Sequence, residues 1–166
     1  MPIKPGMKIS EKEISDMLGV SRTPVRETFI KLANEKLLEV LPQRGTIISK
    51  IDLDQVAEAR FIRECLEGAV VRMATEEFPE RLIESMAANL QEQRLCVEAK
   101  DYRKFFELDE EFHKTIFVGC NKIRTWEVVQ LVNTQYARIR VLSLINEINY
   151  AQLLEQHKGI LTAIRE

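Results

Sequence analysis

The sequence predicts a mostly α-helical protein, with a small head of two short helices and a β-hairpin followed by an antiparallel all-α bundle. Three observations predict it. Ser10 to Arg26, SEKEISDMLGVSRTPVR, carries the start and stop signals of two short helices joined by a tight turn. Leu37–Leu41 and Thr46–Ser49 are β-prone runs, and Pro42-Gln43-Arg44-Gly45 between them has turn chemistry. After Ser49-Lys50 the apolar period becomes helical and stays so.

In the head, Ser10 and Glu13 have the spacing of a capping box, which starts the first helix at a defined point. Ile9, Ile14, Met17 and Leu18 give that helix an apolar side, Gly19 ends it and Val20 packs the turn. Ser21 caps the second helix, whose first turn tolerates Pro24 because amides there lack intrahelical partners. Val25, Phe29, Ile30, Leu32 and Ala33 supply its buried face. Arg22, Thr23 and Arg26 remain at its N-terminal end, where a recognition helix meets phosphates and base edges. A generic helical hairpin or a generic β-hairpin accounts for either half alone. In this order and spacing the two read as a winged helix-turn-helix, with Arg44-Gly45 at the wing tip facing a neighbouring minor groove.

The body reads as five helices. Asp52 begins a long one through about Glu77, with Val56, Ala59, Ile62, Leu66, Ala69, Val70 and Met73 inward, until Phe78-Pro79 breaks it. A second runs from Pro79 to Ala99 with Leu82, Ile83, Met86, Leu90, Leu95 and Val97 among its apolar positions. Asp101 begins a third that ends near Gly119, Asn121 a fourth to about Ile145, and Asn149 a fifth still running at Glu166. Short connections make this an antiparallel bundle. The expected domains are residues 1–50 and 51–166. Both ends read as cut: a winged domain usually has a further helix before it, and Ile160, Leu161 and Ile164 stay amphipathic with no stop signal.

At 166 residues, 45% hydrophobic and 30% charged, the chain has the composition of a soluble globular protein. Its net charge of −2 conceals a division. Residues 1–50 hold nine Lys/Arg against six Asp/Glu, and residues 51–166 fifteen against twenty. A mildly basic head on an acidic body suits one domain that faces nucleic acid. Cys65, Cys96 and Cys120 are odd in number, far apart and in apolar helical contexts, as reduced core cysteines are. With no signal peptide and no run long enough to cross a membrane, a cytoplasmic protein is expected.

Two polar groupings stand out in the body. Asp109 and His113 lie i, i+4 on one helix face among Phe105, Leu108, Phe112 and Ile116, and His157 lies among Leu153, Leu154, Ile160 and Leu161. A carboxylate and two imidazoles converging inside a bundle can hold Zn²⁺ or another borderline divalent ion. The alternative is an ordinary surface or capping pair beside a satisfied core histidine. Arg63, beside Ile62, Leu66 and Val70, points inward and needs an anion; a bidentate carboxylate is its natural partner, and the bland alternative is a salt bridge to Glu67 four residues on or to another bundle carboxylate.

The chain resembles bacterial GntR-type transcription regulators of the FadR-like branch, whose helical ligand-binding domain is of the FCD type. KPGMKISEKEISDMLGVSRTPVRETFIKLANEKLLEVLPQRGTIIS is similar to the family's winged head, and FIRECLEGAVVRMA to the opening of its bundle. LDEEFHKTIFVGCNK resembles its D-x-x-F-H segment, and EQHKGILTAIRE its E-x-H-x-x-I-x-x-A-I segment. The resemblance implies DNA contacts at Lys12, Ser21, Arg22, Thr23, Arg26, Arg44 and Gly45, and metal ligation at Asp109, His113 and His157. It implies that Arg63 holds an effector carboxylate, with Arg138 and Arg140 as further candidates to face the pocket. Two departures are a missing first winged-domain helix and a missing final helix that carries a further metal histidine.

The function expected is therefore that of a homodimeric transcription regulator on double-stranded operator DNA. A small carboxylic-acid effector, bound at a pocket containing Zn (or Ni or Mn), would control operator affinity, with no catalytic residues. Two alternatives remain: a regulator with a purely structural metal and no effector, and a metal-dependent enzyme that activates water.

Overall fold

The computed structural model describes residues 4–42, 45–145 and 150–166. The chain divides after Asp52 into two compact units.

In the head, β1 (Lys8–Ile9), α1 (Glu11–Leu18), α2 (Arg22–Asn34), β2 (Leu38–Leu41) and β3 (Gly45–Ile48) follow in order. Ser10 Oγ accepts the Glu13 amide at 3.1 Å and donates to the Glu13 carboxylate at 2.8 Å, so the predicted cap starts α1. Gly19 ends α1 at φ 67°, ψ 30°, a left-handed conformation that glycine adopts without a Cβ penalty. The hairpin pairs Leu38 with Ile48 and Leu41 with Gly45. The short strand β1, absent from the sequence reading, adds to the far edge of β3 through Lys8–Ile47 and Ile9–Thr46, giving the order β1-β3-β2.

Ile9, Val25, Phe29 and Leu38 form the head core, with Ile14, Leu32, Ala33 and Ile48 packed against it. Three residues read as part of that core face outward instead: Met17 and Leu18 are each 60% exposed and Ile30 56%. Helix α1 is only eight residues long, and its buried position is Ser15, whose hydroxyl turns back to the Lys12 carbonyl at 2.8 Å.

The body consists of α3 (Leu53–Glu76), α4 (Glu80–Ala99), α5 (Tyr102–Gly119), α6 (Ile123–Val132), α7 (Thr134–Ile145) and α8 (Tyr150–Arg165). Asp101 caps α5 by accepting the Lys104 amide at 3.0 Å. Lys100 and Asn121 take φ of 56° in the turns on either side of that helix. The main core joins Val70, Ala74, Ile83, Met86, Leu90, Phe112, Ile116, Phe117, Trp126, Val129, Leu161 and Ile164. Phe105, Leu144 and Tyr150 make a second, smaller cluster. Full burial of a side chain such as Phe112 contributes roughly 1.5–3 kcal/mol. No helix among the described residues is long and apolar enough to cross a membrane.

Several expectations for the body need correction. The fourth helix, read as continuous from Asn121 to Ile145, breaks at Asn133 into α6 and α7. There the amide of Asn133 bonds Gln130 O at 3.3 Å, its carbonyl restarts the next helix by accepting from Ala137 N at 2.7 Å, and its side chain accepts from Arg63 at 3.2 Å. Helices α6 and α7 both pack against α3. Met73, read as inward, is exposed, and so is Cys65, while Cys96 and Cys120 are half-buried; all three thiols are free.

Candidate metal centre and nucleic-acid face

Helix α5 presents Asp109 and His113 one turn apart, and α8 brings His157 to them. Asp109, His113 and His157 each offer one ligand atom within 4.8 Å of the others. His157 Nε2 lies 3.6 Å from Asp109 Oδ1, while its Nδ1 lies 2.8 Å from Gln93 Oε1. The Phe112 ring stacks on His157 at 4.6 Å between centroids. His113 Nδ1 is 3.4 Å from Glu67 Oε2. All three residues are buried or nearly so.

Around this trio runs a chain of alternating charges. Arg140 bridges Asp109 Oδ2 and Glu110 Oε1. Arg63 reaches Glu110 Oε1 and Asn133 Oδ1, each at 3.2 Å. Its other nitrogen lies 2.7 Å from Glu67 Oε1, off the line of any hydrogen bond, so that contact is an ion pair by charge alone. Gln130 donates to Glu110 Oε2 at 2.9 Å. The Arg63 guanidinium also lies over the rings of Trp126 (5.8 Å) and Tyr136 (5.6 Å), close enough for cation–π attraction. Of the arginines singled out in the sequence, Arg63 and Arg140 join this chain, whereas Arg138 bonds Gln135 at 3.0 Å.

These charges decide the protonation states. Burial alone would push the Asp109 carboxyl up, but Arg140, the two histidines and Arg63 outweigh it and hold it below the usual carboxylate range. Glu110 is held low against its own burial by Arg140, then Arg63, with the Gln130 bond adding to them. Burial, and then His113, push His157 from 6.5 down to about 4, so its imidazole is neutral at neutral pH and keeps a lone pair for a ligand. An ionised carboxylate and a neutral imidazole are the donor states a borderline divalent ion requires. The residues present therefore fit such an ion.

The depressed His157 value has a stability consequence. The unfolded chain takes up the proton near 6.5 and the folded chain resists it until about 4, so stability is lost as pH falls through that window. The metal-free body should lose on the order of 3 kcal/mol from this source. Asp109 and Glu110, held low, continue the acid loss below it. Urea midpoints between pH 7 and pH 4 check this: His157→Phe should flatten the profile, and parallel profiles would remove histidine titration as its cause.

In the head, Lys12, Ser21, Arg22, Thr23 and Arg26 are all exposed. Ser21 occupies the cap position of α2, but its hydroxyl makes no capping bond, contrary to the sequence reading. The first-turn amides of α2 thus have no side-chain cap from Ser21, and a helix N-terminus in that state suits a phosphate. Gly45 opens β3 at φ 95°. Arg44 lies outside the described residues.

Gln93, Asn89, Glu110 and Asn133 were missed in the sequence. Gln93 had a signal: it is the one polar residue on the buried α4 stripe Ile83, Met86, Leu90, Gln93. Glu110 had none, because its partners lie on α3, α6 and α7.

Comparison with known proteins bears on both units. Residues 2–48 match the model of bacterial regulatory proteins of the gntR family, and residues 58–166 match the FCD domain. The HTH-type transcriptional repressor RspR of Escherichia coli K12 is 37% identical over 164 residues, 99% of this chain and 72% of that protein. An uncharacterised HTH-type transcriptional regulator from an unstable DNA locus of Streptomyces ambofaciens is 33% identical over 166 residues, covering 100% and 70%. Among solved structures, E. coli McbR/YncC shares the fold with a TM-score of 0.73 at 24% identity, over 98% of this chain and 78% of that one.

Proposed function

The chain belongs to the GntR family of bacterial regulatory proteins and carries an FCD domain, so it is a DNA-binding transcriptional regulator and not an enzyme; from that premise we propose that a small carboxylic acid, taken up at a divalent-metal centre in the body, controls its operator affinity. Asp109, His113 and His157 would hold the ion, zinc being the first choice for a carboxylate–imidazole donor set. When bound, such an ion supplies a Lewis-acid point for a carboxylate oxygen.

The observation that carries the reading is the charge arrangement around the three donors. With both histidines neutral as metal ligands, Asp109, Glu110 and Glu67 bring three negative charges against the two of Arg63 and Arg140, a balance of minus one. A divalent cation converts this to plus one, which an organic monoanion complements. Arg63 and Arg140 then have a reason to sit buried beside the donors. One observation favours the second reading, a structural metal without effector: Arg63 already engages Glu67, Glu110 and Asn133, with which an incoming carboxylate must compete.

In the head, Arg22, Thr23 and Arg26 would read base edges, Lys12 and Ser21 would position the backbone, and Arg44-Gly45 would enter the minor groove. Two heads of a homodimer would meet two half-sites of a pseudo-palindrome. The name of the E. coli relative supports repression as the direction of control. The acid alters DNA affinity only by binding two head arrangements unequally, each 1.4 kcal/mol of difference being about tenfold in affinity.

The test is a titration of an operator selected from random duplex DNA by the zinc-loaded protein. Adding the right member of a carboxylic-acid panel should weaken binding at least tenfold. Arg26→Ala should cost about 1–3 kcal/mol and relax preference at one base pair. Indifference to every acid would favour the structural-metal reading, and unchanged preference in Arg26→Ala would remove Arg26 from the reading head.

A further inference from the structure

We propose that Gln93 is a positioning residue of the metal centre: it locks His157 as the Nδ1–H tautomer, so that the lone pair sits on Nε2, the nitrogen turned toward Asp109. This rests on the reading of Asp109, His113 and His157 as metal ligands.

Four groups on α5, α4 and α8 form a chain of hydrogen bonds with only one possible direction. It begins at the backbone carbonyl of Leu108, which can only accept. Asn89 Nδ2 donates to that carbonyl at 3.0 Å, which settles the two ends of the Asn89 amide and leaves Oδ1 on its other side. Gln93 Nε2 donates to Asn89 Oδ1 at 2.7 Å, so Gln93 in turn presents Oε1 to the His157 ring. That oxygen lies 2.8 Å from His157 Nδ1. It has no proton to give, so Nδ1–H donates, and a neutral imidazole protonated there carries its lone pair on Nε2. Nε2 is the atom 3.6 Å from Asp109 Oδ1.

The surroundings leave the ring little freedom. Phe112 stacks on it at 21° between planes, and His113 meets it edge-on at 80°. Gln93 is wholly buried and His157 is 2% exposed, so bulk water cannot stand in for the amide. Stability alone does not call for this arrangement. A buried amide is costly unless both its ends are paired, and an apolar residue of similar shape would fill the stripe after Leu90 as well. What leucine cannot do is choose the tautomer. Hydrogen bonding to the remote nitrogen is how a ligating histidine is oriented and its ligand atom selected.

The experiment uses the full chain labelled with [¹⁵N]histidine, metal-free and at neutral pH. Long-range ¹H–¹⁵N correlations should find His157 protonated at Nδ1 and bare at Nε2. The opposite tautomer in the parent overturns the proposal without recourse to any variant. Zinc alone is then titrated into the parent, Gln93→Leu and Asn89→Leu. Gln93→Leu should weaken zinc binding about 10–100-fold. Asn89→Leu frees the Gln93 amide to turn its NH₂ to the ring, so the Nε2–H tautomer should appear beside the other and affinity should fall less. Zinc affinity indifferent to Gln93→Leu overturns the positioning role alone. A parent that binds no zinc overturns the metal reading and the positioning role with it.

Discussion

Replacing Arg140 by Met in the metal-free protein is expected to destabilise the helical body by about 3–5 kcal/mol. Arg140 is the cation shared by Asp109 and Glu110, and Asp109 is only 3% exposed. Without it, two carboxylates that the native fold holds ionised lose their main counter-charge in a poorly solvated place. Glu110 retains Arg63 and Gln130, so the greater part of the penalty falls on Asp109. The sign of the pH dependence follows. These carboxyls titrate below their unfolded values in the parent, so Arg140 contributes most above the ordinary carboxylate range and little once both are protonated. Urea unfolding of the two proteins should therefore show a wide gap at pH 7 that closes in acid. Zinc should narrow the gap at pH 7, because a cation again faces Asp109. Equal midpoints at neutral pH would mean the Arg140 bridge adds nothing to the fold.

The second large effect concerns zinc itself. A ligand that binds only the native state at a free concentration of 100 Kd stabilises it by about 2.7 kcal/mol. The parent should gain that much, seen as a rise in melting temperature that grows with the logarithm of zinc concentration. His113→Ala/His157→Ala should show no zinc-dependent rise. The double variant also leaves Gln93 Oε1 without its partner, so a lower starting stability is expected whether or not zinc is added. The two contributions separate cleanly, since only one depends on zinc.

How much of this was legible in the sequence varies with the range of the interaction involved. Caps and strand pairing are local, so Ser10/Glu13, Gly19 and the two β-prone runs announced the head, and helical periodicity announced the bundle. The i, i+4 pair Asp109/His113 marked one side of the candidate centre, and His157 stood out because the chain has only two histidines. Strand β1 was not legible, since two residues carry no period and their pairing with β3 is set by the fold. Nor was the break at Asn133, whose side chain is held by Arg63 from a distant part of the chain. Glu110 read as one acidic residue in the run Asp109-Glu110-Glu111, and only the packing of α3, α6 and α7 around it shows why it is held by two arginines. Amphipathicity misassigned Met17, Leu18, Ile30 and Met73 because a period gives a stripe's direction and not how far neighbouring elements cover it.

The central claim is that Asp109, His113 and His157 together hold a divalent ion, on which effector control, Gln93 positioning and zinc stabilisation all depend. The most direct measurement is elemental analysis of the parent and of His113→Ala/His157→Ala after equilibration with zinc and removal of the excess. One zinc per chain in the parent and none in the variant is the expected result. No zinc in the parent, or equal zinc in both proteins, would contradict it.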